Sequence, residues 1–172
     1  MGIVAIKYSA ISFIVVIIVC YLHLINKHRW IFSKIDGLKY CVLNKKNNNI
    51  AADRLAYTIY NMRQLVDFLI IKKDIWKEKQ NMIERLAKRF PPKTVHEGTY
   101  GTNYLHNKTN KLVICLRRSD NSFISLRKVH KVALHELAHM ACRSTGHTIE
   151  FKENYKFLTY ISRKFNKEIN FR

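Results

Sequence analysis

The chain is short of acid. Across 172 residues, 12 Asp and Glu stand against 31 Lys and Arg, for a formal net charge of +19. So few carboxylates favour an anionic partner, either nucleic acid or an anionic membrane face. The cations run along the whole chain and form no single basic tail, and an AT-rich coding sequence, rich in Lys, Asn and Ile codons, would produce the same excess. Cysteine is sparse too. Cys20, Cys41, Cys115 and Cys142 form no CxxC pair and no dense cluster, which excludes a disulfide framework and a Cys-type zinc site and suits a reducing compartment. No internal repeat is visible. Apolar residues are not lacking: 48% hydrophobic and 12% aromatic content excludes a disordered tail and, at this length, predicts one core with an appendage.

The appendage is N-terminal. From Tyr8 to Ile25 the sequence carries no formal charge; as a helix these residues rise about 27 Å, near the thickness of a bilayer's hydrocarbon core. No small residues follow Leu22 to mark a signal-peptide cut, and Ile6 occupies the Ser/Thr position that myristoylation at Gly2 requires. The expectation is an uncleaved single-pass anchor within residues 1–30, with its basic flank, and a body over residues 31–172. Lys7 alone precedes the span while Lys27, Arg29 and Lys34 follow it, which predicts a body on the cytoplasmic side. Asn107-Lys108-Thr109 is a glycosylation sequon that only a lumenal body could use.

In the body, Tyr40-Cys41-Val42-Leu43 reads as a strand. Leu55, Ile59, Met62, Val66 and Leu69 then recur at helical spacing. A second helix is expected from about Asp74, with Ile83, Leu86, Ala87 and Phe90 on one face, ended by Pro91-Pro92. Between Thr99 and Arg118 the pattern changes to period two and β-formers, with Thr102–His106 and Lys111–Leu116 flanking the turn-like Asn107-Lys108-Thr109-Asn110, a hairpin signal. Two further helices are expected, from about Leu126 to Cys142 and from about Ile149 to Phe165, the last capped by Thr148. The fold class is α+β, helix-rich, with a small sheet.

One segment carries chemistry. His135 and His139 stand at i and i+4, one turn apart on one helix face, where both can ligate a tetrahedral zinc. Glu136, between them on the rim of that face, can take a proton from water at the metal. Leu126, Val129, Ala133, Leu137 and Met140 form a separate stripe for packing. A zinc hydrolase needs a third protein ligand and an open position. His147 follows Gly146, whose left-handed conformation would turn the chain back after the helix, and Glu150 is the competing ligand. Tyr155 and Tyr160 are candidate oxyanion donors, and the other histidines read as surface or packing residues.

These residues resemble a known group. Val132-Ala133-Leu134-His135-Glu136-Leu137-Ala138-His139, then Gly146-His147-Thr148-Ile149-Glu150-Phe151 and Tyr155-Lys156-Phe157-Leu158, look like the WLM and SprT-like zinc metallopeptidases, above all the small versions encoded by large eukaryotic DNA viruses and algae. The likeness reaches upstream to the helix opened by Ala51-Ala52-Asp53-Arg54-Leu55-Ala56 and the strand Leu112-Val113-Ile114-Cys115-Leu116-Arg117. It implies a minimal zincin-like fold, with His135, His139 and His147 on zinc and Glu136 as general base. It also implies that the strand around Val113 borders the cleft, where an extended substrate adds as a further strand. Relatives commonly carry an aromatic where this chain has Lys152, which bears on substrate preference.

The expected activity is therefore peptide hydrolysis by a zinc metallopeptidase at a membrane, possessing a protein or peptide substrate and a bilayer contact through residues 8–25. A virion or virus-modified host membrane is one such setting. Nucleic acid would suit the charge, and relatives cleave proteins attached to DNA, but an anchor restricts access to chromatin. A structural membrane component that keeps the fold without activity is the third reading, and an intact Glu136 speaks against it.

Overall fold

The computed structural model describes residues 13–19 and 27–169. Residues 13–19 are helical and exposed. The rest of the expected membrane span lies outside the described residues, among which no helix is long and apolar enough to cross a membrane.

Five strands make one sheet: β1 (His28–Phe32), β2 (Lys39–Leu43), β3 (Thr94–Gly98), β4 (Tyr104–His106) and β5 (Lys111–Cys115), in the order β1-β2-β3-β5-β4. The inner strands β2, β3 and β5 run parallel, while β1 and β4 close the two sides antiparallel. Four helices accompany them: α1 (Asn48–Ile71), α2 (Gln80–Arg89), α3 (Leu126–Ala141) and α4 (Ile149–Ile169). The α+β expectation holds. The sheet is larger than the sequence predicts, because β1 lies in the expected basic linker and β3 follows the double proline without alternating hydrophobicity. β1 also draws His28, Arg29 and Trp30, expected in the flank of the anchor, into the sheet.

The stripe on α1 is core. Leu55, Ile59, Met62, Val66 and Leu69 are all buried, joined by Ala51, Ala52 and Ala56, whose small side chains let the helix lie close to its neighbours. The second helix starts later than expected, at Gln80, because residues 73–79 form two 3-10 turns. Trp76 there packs against Phe68 and Phe157, tying this segment to α1 and α4. Pro91 and Pro92 do end α2, with Phe90 already extended.

The sheet's inner strands meet a buried ion pair. Arg117 Nε donates to Glu97 Oε1 at 2.7 Å, and both side chains are almost wholly buried. Glu97 Oε2 accepts the Leu43 amide at 2.9 Å, and Arg117 Nη1 reaches the Lys46 carbonyl at 3.0 Å. The pair thus links the ends of β2, β3 and β5 to the entry of α1. Gly98 is required beside it, since a Cβ there would collide with the Thr102 carbonyl oxygen.

Replacing Glu97 with Gln removes one charge and leaves Arg117 buried without a counter-ion. The expected loss of stability is about 3–5 kcal/mol, read from urea unfolding; a midpoint equal to that of the parent would show that the pair adds nothing.

Candidate metal centre

The helix α3 packs at the centre of the body, against α1, α2, α4 and the β4–β5 hairpin. Its first turn is capped by Ser125, whose Oγ accepts from the Lys128 amide at 3.4 Å. Val129, Ala133, Leu137 and Met140 are buried as expected, but Leu126 is 44% exposed, in a first turn whose side chains are exposed from Leu126 to Lys128. Leu134, Ala138 and Ala141 are buried as well, so the apolar face is wider than one stripe, as a helix covered on several sides requires.

His135 and His139 face the cleft together, their Nε2 atoms 3.2 Å apart, and His147 Nε2 lies 3.1 Å from that of His135. One ligand nitrogen from each lies within 4.8 Å of the others. Two imidazole nitrogens on one tetrahedral zinc would stand about 3.3 Å apart, given bond lengths of about 2.0–2.1 Å. The three side chains are therefore spaced as ligands of a single ion. Burial and the neighbouring imidazoles hold His139 down to about 4, and burial with His147 lowers His135, so both rings are neutral at pH 7, the form a metal needs.

The ring positions are fixed by one aromatic side chain. Phe151, buried on α4, lies 4.3 Å from the His139 ring centroid, 4.7 Å from that of His147 and 4.8 Å from that of His135. It stacks in turn on Tyr155. The start of α4 is set by Thr148, whose Oγ1 accepts from the Phe151 amide at 3.3 Å.

Glu136 lies deeper than the expected rim position, only 2% exposed. Burial pushes its carboxyl up to about 7, and its Oε2 has no hydrogen-bond partner among the described residues. A buried carboxylate oxygen without a partner is costly unless something else at the site meets it. The donor set, the spacing and this orphaned oxygen fit a zinc ion carrying an open coordination position. That side of the site opens on a cavity of about 260 Å³ bordered by Asn103, Tyr104 and Leu105, and on another of about 360 Å³ that Tyr155 shares with Glu136.

Glu150 is not among the residues whose ligand atoms converge. Its Oε1 accepts from Arg85 Nη2 at 2.8 Å and its Oε2 from the Arg143 amide at 3.0 Å, so both oxygens are engaged outside the histidine cluster. Gly146 has the expected positive φ of 81°, but it does not cap α3. The helix ends at Ala141 with Cys142 extended, and Gly146 turns the loop just before His147. Tyr155 stands beside His135, at 5.8 Å between ring centroids, whereas Tyr160 is exposed under Lys164. His130 bonds Ser162 at 2.8 Å and borders a different cavity.

Three cations that the local pattern does not flag hold this end of the site. Arg85 Nε donates to the Ala141 carbonyl at 2.9 Å, and Arg89 Nη1 to those of Met140 and Cys142. Lys108 Nζ donates to the carbonyls of Cys142, Arg143 and Ser144 at 2.8, 2.6 and 2.8 Å. These carbonyls are the unsatisfied, negative end of α3 and the loop beyond it, where cations are favoured. The strand bordering the cleft is β4; β5, with Val113, is covered on both sides by β3 and β4 and offers no edge to a substrate.

The WLM domain model matches residues 37–167. An uncharacterized protein of Acanthamoeba polyphaga mimivirus is 32% identical over 142 residues, covering 80% of this chain and 72% of that one. The crystal structure of Wss1 from Saccharomyces cerevisiae superposes with a TM-score of 0.51 at 17% identity, over 74% of this chain and 88% of that one, and so shares the fold. With a match across most of the body, the chain belongs to the WLM family.

Proposed function

We propose that the protein is a zinc-dependent peptidase, its body tethered to a membrane on the cytoplasmic side by the apolar run over residues 8–25. One observation carries the catalytic reading: three histidine nitrogens converge beside a buried, unpartnered Glu136 carboxylate whose pKa lies near neutrality. His135, His139 and His147 would hold the ion. Zinc in that position supplies Lewis acidity, polarising a scissile carbonyl and making water at the open position easier to deprotonate.

The protein's own groups do the rest. Glu136, titrating close to pH 7, accepts the proton from the attacking water and returns it to the leaving amine. Tyr155, on the cavity wall next to Glu136, is the side chain placed to donate to the developing oxyanion. A substrate backbone enters extended along β4, the strand bordering the cavity, whose outer edge carries no partner strand among the described residues. The substrate is a protein or peptide.

The test is zinc stoichiometry and proteolysis on the full chain. Glu136→Gln is expected to keep its zinc and lose at least about a hundredfold in cleavage of a casein substrate; activity equal to the parent's would assign the cleavage to a contaminant. His147→Ala is expected to lose both zinc and activity, and full zinc occupancy in that variant would remove His147 from the ligand set. Lys108→Ala, which frees the loop carrying His147, is expected to weaken zinc affinity about tenfold. An unchanged affinity, measured by competition with a chelator, would show that the loop holds itself.

A further inference from the structure

A second concavity sits beyond the carboxyl ends of the parallel strands β2, β3 and β5, where open α/β sheets commonly bind ligands. About 570 Å³ in volume, it is lined by Lys27, Lys45, Arg117 and Arg118, with Thr99 and Tyr100 after β3, and shares no lining residue with the cavities around the histidines.

Its charge is only partly neutralised from within: Glu97 pairs with Arg117, and the exposed Asp120 feels the charge of Arg118 without forming an ion pair with it. Among the described residues, no carboxylate pairs with Lys27, Lys45 or Arg118. Lys45 Nζ donates to the neutral Asn121 Oδ1 at 2.6 Å and Arg118 Nη1 to Ser122 Oγ at 3.0 Å. Asp120, the nearby acid, accepts through Oδ1 from the Ser122 amide and hydroxyl. Both oxygens of Glu97 are taken, one by Arg117 Nε and one by the Leu43 amide.

Arg117 adds an independent observation. It is only 4% exposed, and its Nη2 is buried with no hydrogen-bond partner among the described residues. A planar fork with one donor unmet, beside Lys45 and Arg118 that no carboxylate pairs among the described residues, matches an oxyanion with several acceptor oxygens. The volume exceeds what a bare phosphate fills, leaving room for the group esterified to it.

We propose that this concavity binds the phosphate group of a phosphate ester, held between Arg117 and the side chains of Lys45 and Arg118. The reading is independent of the zinc chemistry. A lipid headgroup and a soluble phosphate ester offer the same group, and the grouping of the cations around one half-open concavity suits a single phosphate over a polynucleotide backbone, which needs a continuous basic track.

The experiment uses the full chain in a maltoside detergent. Inorganic phosphate is titrated by calorimetry against the parent and against the Lys45→Gln/Arg118→Gln double variant, both side chains being exposed and clear of the core. Saturable binding is expected, weakened at least about tenfold in the variant, with an unchanged circular-dichroism melting curve as the check on folding. Vesicles of phosphatidylcholine with phosphatidic acid, set against phosphatidylcholine alone, identify the source. Competition with phosphate supports a lipid headgroup, and phosphate binding without competition supports a soluble ester. No saturable phosphate binding by the parent, or equal binding by a folded double variant, overturns the proposal. So does binding confined to a single-stranded oligonucleotide, which would make this face a nucleic-acid surface.

Discussion

Two ligands one helical turn apart are placed by helix geometry alone, but a third ligand from the following loop is placed only if that loop is held. The carbonyl end of α3 supplies the means. Arg85 and Arg89 from α2 and Lys108 from the β4–β5 turn all donate to carbonyls between Met140 and Ser144. Those groups have no intrahelical partners and carry the negative end of the helix dipole, so cations there are stabilising for the helix as well as the loop. The same Arg85 takes Glu150, whose other oxygen accepts the Arg143 amide. One cluster thereby fixes where α3 ends, where the loop runs and which side chain comes up beside His135.

Phe151 completes that constraint from the other side. Its ring meets all three imidazoles and leaves them one face to the cleft. The interior placement of Glu136 follows from the same packing: α3 is covered on most sides, so a residue beside the ligand face enters a low-dielectric space and its carboxyl titrates near neutrality. Burial alone, without a partner charge, is what raises this carboxyl above the ordinary glutamate range.

The sheet serves both ends of the molecule. At one end the β4 edge borders the cleft; at the other, the Glu97–Arg117 pair ties the parallel strands together and presents Arg117 to a basic concavity. Burying a pair costs desolvation that its attraction only partly repays, yet here it also joins Leu43 and Lys46 to the sheet. That concentration of cations gives part of the +19 charge a location, which composition alone could not do.

What was legible in the chain were the features that repeat locally. The spacing of His135 and His139, the stripe on α1, the stop at Pro91, the Thr148 cap and the hairpin around Asn107–Asn110 each depend on residues a few positions apart, and periodicity and turn chemistry report such contacts directly. β1 and β3 were hidden because their strands are specified by partners, His28–Phe32 by Lys39–Leu43 and Thr94–Gly98 by Lys111–Cys115, with little alternation of their own. The choice of His147 over Glu150 was also tertiary, for it rests on Arg85, 65 residues away from the glutamate it captures. By itself the sequence determined a helix that sets two histidines on one face and the residues around them. Only the tertiary structure decided the depth of Glu136, the strand that borders the cleft and the three cations on the helix end, because burial, sheet order and long-range hydrogen bonds belong to the folded arrangement and to no local stretch of chain.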